Sequence, residues 1–185
     1  MGCGELNDGS LKRYRRYIRN YQPRDYVRVD RKWLAGVDVI SDLTQGLPFK
    51  NETIEEILCI HVLEHIRDLE SIMREFHRVL KPGGVLKVWT PHCFSPIAFG
   101  DSTHCRFFTF ETLSQFDPQS PGSYYYDFHF KFACSRMQLF RRWYTPNFLE
   151  QLLEKLINRH QRSGERFLKI LPYKDWEVYT ELKKE

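Results

Sequence analysis

The sequence predicts a three-layer α/β domain with a mostly parallel sheet and an antiparallel strand near its carboxyl-terminal end. Residues 57–60 form an apolar run without polar alternation, which suits a strand buried on both faces. A helical stripe follows, and a second strand is predicted from Val85 to Thr90. Because the connections are short, the crossover should be right-handed and the two strands parallel. Residues 176–182 then alternate with period two, which is typical of a half-exposed antiparallel strand.

The helix between the two predicted parallel strands has recognisable limits. Asp68 can accept hydrogen bonds from the first turn and so cap it. Residues 81–84 read Lys-Pro-Gly-Gly, which is typical of a helix end because a cation, a proline and a left-handed glycine follow one another. The side facing the core is predicted to contain Leu69, Ile72, Met73, Phe76, Val79 and Leu80.

The composition indicates one globular domain. At 185 residues the chain is long enough to bury about two thirds of its unfolded surface. A net charge of +4 is too small to indicate nucleic-acid binding. No apolar stretch is long enough for a membrane span, and the start lacks a signal segment. The five cysteines are scattered and form no Cys-x-x-Cys pair, so we expect reduced thiols in a cytoplasmic protein.

Glycines and an acid stand where α/β sheets commonly bind ligands. The loop Gly2-Cys3-Gly4 precedes a predicted helix, and its glycines allow a backbone to approach a ligand closely. Such a loop is as often a plain turn. Asp30 ends a predicted strand, where a carboxylate can accept two hydrogen bonds from a ribose diol. The alternative for Asp30 is a turn or a helix cap.

Two strings carry a resemblance to a known family. Leu63-Glu64-His65-Ile66, followed by residues 75–84 (Glu-Phe-His-Arg-Val-Leu-Lys-Pro-Gly-Gly), resembles the class I S-adenosylmethionine-dependent methyltransferases of type 11-like sequence. The resemblance spans residues 2–91. It implies a Rossmann-like sandwich, S-adenosyl-L-methionine as cofactor, and methyl transfer to a small-molecule or polymeric acceptor. In that family a strand precedes the glycine loop, whereas only Met1 precedes it here, so we expect the first strand to be missing or truncated.

The resemblance also implies a set of cofactor-binding residues. They are Gly2, Cys3, Gly4, Asp30, Asp42, Leu43 and His61. Asp42 would lie near the adenine amino group with Leu43 beside the ring, although a turn role for Asp42 is equally compatible. His61 directly follows the central strand and would line the pocket. On this interpretation a single domain, 1–185, consists of a cofactor-binding half (1–91) and a substrate-side half (92–185).

The irregular segment 92–108 contains the candidate catalytic groups. His104 is the first choice for a general base, with Asp101 as its orienting partner and His92 as a weaker alternative. The histidines of this segment are followed directly by cysteines. Adjacent His-Cys pairs lack the usual ligand spacing, so no metal site is expected.

The remaining features leave alternatives open. Glu64 and His65 either contribute to a site or, as we favour, cap and orient the following helix. The aromatic residues 124–130 form either an acceptor pocket or edge-strand packing. The apolar stripe of the helix expected to start at Thr145 is a lid, a homodimer face or, by default, a core side.

Two other functions are compatible with these residues. The first is a non-catalytic, methyltransferase-like scaffold or partner protein. The second is a dinucleotide enzyme, but the absence of a third close glycine after Gly2 and Gly4 argues against it.

Overall fold

A computed structural model describes residues 26–139, 148–168 and 175–185. The strands in these residues are β1 (Val29–Asp30), β2 (Val39–Ile40), β3 (Ile54–Ile60), β4 (Leu80–Pro91), β5 (Phe130–Leu139) and β6 (Trp176–Lys184). The α-helices are α1 (Leu69–Val79), α2 (Pro96–Gly100), α3 (Phe148–Arg159) and α4 (Gln161–Leu168). Short 3-10 helices cover Leu43–Gln45, Leu63–His65, Leu113–Phe116 and Ser123–Tyr125. The helix predicted after the glycine loop and the helix start predicted at Thr145 lie outside the described residues.

The described strands form two sheets. β1 and β2 are a parallel pair, and the second sheet has the order β3-β4-β6-β5. β3 and β4 are parallel, with Ile57 opposite Leu86 and Ile60 opposite Trp89, which confirms the predicted strand-helix-strand crossover. β6 is antiparallel to both β4 and β5. The α/β class and the mixed sheet with antiparallel carboxyl-terminal strands are therefore as predicted.

Strand β6 differs from the prediction in its burial. The period-two alternation predicts a half-exposed strand, yet residues from Trp176 to Thr180 are all buried. β6 lies between β4 and β5 within the sheet, so its edges are paired on both sides. The face that carries Glu177 is covered where Glu177 contacts His61 at 3.0 Å, and on the opposite face Thr180 is buried beside Ser135 of β5 at 3.2 Å. The alternation therefore marks a polar interior contact and not a solvated face.

Helix α1 begins where the sequence predicts and ends one residue early. Asp68 caps it by accepting hydrogen bonds from the Ser71 amide at 3.0 Å and the Ser71 hydroxyl at 2.7 Å. Leu80, predicted to be helical, already belongs to β4 and pairs with Ile54. Gly84 allows this close pairing, since a Cβ there would lie 2.8 Å from the carbonyl oxygen of Lys81.

Arg78, which belongs to segment 75–84, holds the loop before β3 against α1. Its guanidinium donates to the carbonyl oxygens of Leu47 (3.1 Å) and Phe49 (2.9 Å). It also pairs with Glu75, whose carboxylate in turn accepts the Leu47 amide at 2.6 Å. These charge-assisted bonds hold the amino-terminal approach to β3 in place.

The main hydrophobic core joins both sheets to α1. Val29 of β1 packs in the same buried cluster as Ile57 of β3 and Phe76 of α1. The two-stranded sheet is therefore tied to the larger sheet by side-chain packing, which places the carboxyl ends of β1 and β3 on one body.

Helix α3 only partly follows its default interpretation as a core helix. Ile157 is buried, but the side chains of Phe148 and Leu149 are 76% and 70% exposed. Leu152 and Leu156 are exposed as well, so four of the six residues of the predicted apolar stripe face away from the core. At 12 residues α3 is the longest described helix, and none of the described helices has the length and apolar character needed to cross a bilayer.

Candidate active site

His61 lies directly after the carboxyl end of β3, between two buried carboxylates. Its backbone has φ +50°, a left-handed conformation that histidine tolerates better than most residues, and its amide donates to the Trp89 carbonyl at 2.9 Å. Nδ1 lies 3.2 Å from Oε1 of Glu64, and Nε2 lies 3.0 Å from Oε1 of Glu177. Gln138 donates to the second oxygen of Glu177 at 3.0 Å, so the cluster reaches from β3 across to β5.

This arrangement makes His61 a cation. Burial opposes its charge, but the hydrogen bonds and negative charges of Glu177 and Glu64 outweigh burial and raise the pKa of His61 to about 10. The imidazole is therefore protonated at neutral pH. His61 cannot serve as a general base there, and it contributes a fixed positive charge instead.

Asp30 ends β1 and is mostly buried. One carboxylate oxygen accepts the Lys32 amide at 2.9 Å, which is the local turn contact that the sequence left open. A carboxylate offers about four acceptor positions, so this contact is compatible with further hydrogen bonds. The role of Asp30 toward a ribose stays a prediction.

Asp42 and Leu43 follow β2, which is parallel to β1, so they lie past the same end of the two-stranded sheet as Asp30. Asp42 caps the 3-10 helix Leu43–Gln45, accepting the Thr44 amide at 2.9 Å and the Thr44 hydroxyl at 2.8 Å. These bonds hold the pKa of Asp42 below its usual value. Leu43 is buried in the main core cluster. The turn alternative is thus observed for Asp42, and the adenine contacts stay predictions.

His104 and Asp101 are close, but they are not paired as expected. The ring nitrogen Nε2 of His104 is 3.9 Å from a carboxylate oxygen of Asp101, which exceeds hydrogen-bond distance. The Ala98 carbonyl orients the ring, at 3.0 Å from Nδ1. Asp101 instead accepts the Thr103 hydroxyl (2.6 Å) and amide (2.8 Å), bonds that hold the pKa of Asp101 below its usual value.

His92 is engaged inside the fold. Its side chain is fully buried, Nδ1 accepts the Phe94 amide at 3.1 Å, and Nε2 lies 3.1 Å from Oε1 of Glu165. Glu165 also accepts the Phe110 amide at 2.7 Å. His92 therefore links the segment 92–108 to α4 and offers no open nitrogen for proton transfer.

The part of the chain that contains the ends of β1, β2 and β3 is similar to a known protein family. Residues 2–88 match the family model described as a methyltransferase domain. This segment is similar to the methyltransferase domain family. The motifs at 63–66 and 75–84 lie within the matched residues, and the resemblance read from them is confirmed.

The chain matches only a part of each of its curated relatives. Over 84 residues the chain is 31% identical to the ubiquinone/menaquinone biosynthesis C-methyltransferase UbiE of Enterobacter sp. (strain 638). The matched segment is 45% of this chain and 30% of that protein. Over 45 residues the chain is 40% identical to the sterol 4-C-methyltransferase strm-1 of Caenorhabditis elegans. The matched segment is 24% of this chain and 14% of that protein. The chain thus matches less than a third of the length of either relative.

A solved structure shows the same fold. The crystal structure of a SAM-dependent methyltransferase from Archaeoglobus fulgidus superposes with a TM-score of 0.56 at 16% identity, covering 97% of this chain and 94% of that one. The chain therefore has the Rossmann-like α/β fold of that structure.

The structure brings together residues that lie far apart in the sequence. Glu64 and His65 were expected to cap a helix, but Asp68 caps α1, while Glu64 contacts His61 and His65 lies 2.9 Å from the Thr103 hydroxyl. The amides of Cys105 and Arg106 both donate to the Glu64 carbonyl. Segment 101–106 is thus joined to segment 64–67. The sequence analysis did not predict this contact, because the two segments are about 40 positions apart.

One residue of the site was not predicted from the sequence, and one predicted loop lies outside the described residues. Glu177, the buried partner of His61, was missed because its alternation suggested a solvated strand. Gly2, Cys3 and Gly4 lie outside the described residues, so their predicted contact with the cofactor's methionine part stays a prediction.

Proposed function

We propose that the chain is an S-adenosylmethionine-dependent methyltransferase acting on an acceptor not yet identified. The observation that carries this proposal is the methyltransferase-domain match over residues 2–88, which includes the ends of β1, β2 and β3. In open α/β sheets, ligands bind outside the carboxyl ends of the strands. Among the candidate cofactor residues, Asp30 ends β1, Asp42 and Leu43 follow β2, and His61 follows β3.

The proposed site divides S-adenosylmethionine among three elements. Asp30 would accept the ribose hydroxyls, Asp42 and Leu43 would contact the adenine, and the Gly2–Gly4 loop would hold the methionine part. His61 would line the pocket as a fixed cation, and the two glutamates that flank it offset its charge beside the cationic sulfonium.

The chemistry requires little of the protein beyond alignment. The methyl carbon of the sulfonium is already electrophilic, so holding donor and acceptor in line supplies most of the rate enhancement. An acceptor that must lose a proton needs a base, and His104 is the candidate because Ala98 holds its Nδ1 and leaves Nε2 open. Asp101, 3.9 Å away, would stabilise the imidazolium that results.

Calorimetric titration with S-adenosylmethionine tests the proposal. We expect micromolar binding to the full chain and at least about a tenfold loss in Asp30→Ala, because a carboxylate holding two hydroxyls contributes at least about 1.4 kcal/mol. Asp38→Asn is the matched control, since Asp38 is an exposed acid that pairs with Arg28 before β2. Unaltered binding in Asp30→Ala would refute the assigned site. Absence of binding to the wild-type chain would instead favour the non-catalytic, methyltransferase-like partner role.

A further inference from the structure

We propose that Glu64, His65 and His104 form a binding site for a divalent transition-metal cation, with zinc as the first ion to test. One ligand atom from each of the three side chains, a carboxylate oxygen and two imidazole nitrogens, lies within 4.8 Å of the other two. Two imidazoles and one carboxylate form a donor set that suits zinc and its neighbours in the first transition row.

Glu64 supplies the observation that calls for a cation. Its side chain is 1% exposed, and one of its carboxylate oxygens, Oε2, has no hydrogen-bond partner within the described residues. The other oxygen contacts His61. Buried carboxylate oxygens are rarely left without a partner, because the loss of hydration is costly. A cation bound by this carboxylate would offset that cost.

The hydrogen bonds around the two histidines leave ring nitrogens free to bind metal. Nδ1 of His104 faces the Ala98 carbonyl, which can only accept, so Nδ1 carries the proton and Nε2 the lone pair. The Thr103 hydroxyl donates its single proton to Asp101 and therefore accepts from Nδ1 of His65. His65 thus also has its lone pair on Nε2. Such outer hydrogen bonds are the usual way in which proteins fix the tautomer of metal-binding histidines.

The backbone holds the two halves of the site together without any ion. The Glu64 carbonyl accepts the amides of Cys105 at 2.8 Å and Arg106 at 3.2 Å. The Arg106 side chain donates to the Ile66 carbonyl at 3.0 Å. The donor groups, which lie about 40 positions apart in sequence, are therefore held in place before a ligand arrives.

Three protein ligands leave at least one coordination position for water or another molecule. His65 is exposed, so the ion has access from solvent, whereas the His104 side chain is 8% exposed. A cation here would occupy Nε2 of His104 and exclude the base role proposed above. In place of that base, the cation would lower the pKa of an acceptor hydroxyl bound to it.

Metal titration of the full chain, freed of metal by a chelator and without S-adenosylmethionine, tests the site. We expect one Zn²⁺ per chain by mass spectrometry of bound metal and calorimetry, and a visible absorption band when Co²⁺ is the probe. His65→Ala and Glu64→Gln should each weaken binding at least about tenfold. His160→Ala removes an exposed histidine of the segment between α3 and α4 and should change binding less than twofold.

Circular dichroism checks that each variant is folded. His65→Ala changes an exposed side chain that should not be needed for folding. Absence of zinc and cobalt binding to the wild-type chain would overturn the proposal, as would equal binding by the folded His65→Ala and Glu64→Gln variants. Since no cofactor is present, a negative result leaves the methyltransferase proposal standing. Conversely, metal binding by a chain that does not bind S-adenosylmethionine leaves the metal site standing.

Discussion

The charge on His61 should make the stability of the fold depend on pH within a defined window. The pKa of His61 is about 10 in the folded chain, against an ordinary value of 6.5. At about 1.4 kcal/mol per unit, this difference corresponds to a stabilisation on the order of 5 kcal/mol. The side chain is 27% exposed, so solvent does not screen most of it.

The sign follows from the raised pKa. Below pH 6.5 the histidine is protonated in both states and the full stabilisation is present. As pH rises from 6.5 to about 10, the unfolded chain loses the proton first, and the free energy of unfolding should fall by about 1.4 kcal/mol per pH unit. Between pH 7 and pH 8.5 the expected loss is about 2 kcal/mol.

Urea denaturation at several pH values measures this slope, with His61→Asn as the matched variant because asparagine also tolerates φ +50°. The slope should disappear in the variant. Burial raises the pKa of the Cys59 thiol to about 12, which destabilises both proteins above pH 9, so that effect cancels in the comparison. Proton NMR of the His61 ring should give a pKa above 9. A ring pKa near 6.5, or equal slopes in both proteins, would refute the reasoning.

Three further changes test the fold that positions this site, each by urea denaturation. Arg78→Met should lower the free energy of unfolding by about 2–4 kcal/mol, because Glu75 and two loop carbonyls lose their partner. Gly84→Ala should cost about 1–3 kcal/mol, since the new Cβ would lie 2.8 Å from the Lys81 carbonyl oxygen. Asp68→Ala should cost about 1 kcal/mol through loss of the α1 cap.

Each of these changes has a control variant. Arg74→Met removes an exposed arginine of α1 and should cost less than about 1 kcal/mol, so an equal loss for both arginines would contradict the role given to Arg78. Gly100→Ala adds a methyl group in open space and should be nearly neutral. If Asp68→Asn were as destabilising as Asp68→Ala, capping would not explain the effect, since asparagine caps nearly as well.

The sequence predicts the local part of this fold well. The limits of α1 and the parallel pairing of β3 with β4 follow from residues within one stretch of the chain, where periodicity and capping act directly. The environment of β6 could not be predicted in the same way. Alternating residues from 176 to 182 fit a solvated strand equally well, and only the contact of Glu177 with His61, distant in sequence, shows that this part of the polar face is buried.

The candidate site shows the same limit. His104 and Asp101 were predicted as a base and its orienting partner because both lie in the irregular segment 92–108, but Asp101 accepts short-range hydrogen bonds from Thr103 and none from the ring. Those bonds in turn orient His65, which comes from a segment 38 positions earlier. Spacing alone does not predict such a chain of contacts, because it depends on how two loops meet at the edge of the sheet.

The pairing of His61 with Glu177 spans 116 positions of the chain. A ribosome therefore completes β3, α1 and β4 well before the carboxylate partner of this histidine is synthesised. The nascent α/β unit would carry an incompletely paired ion cluster and an uncovered β4 edge until β6 inserts beside it. Completion of the His61 ion cluster and completion of the sheet should then occur in a single late step, so that translation intermediates lack both.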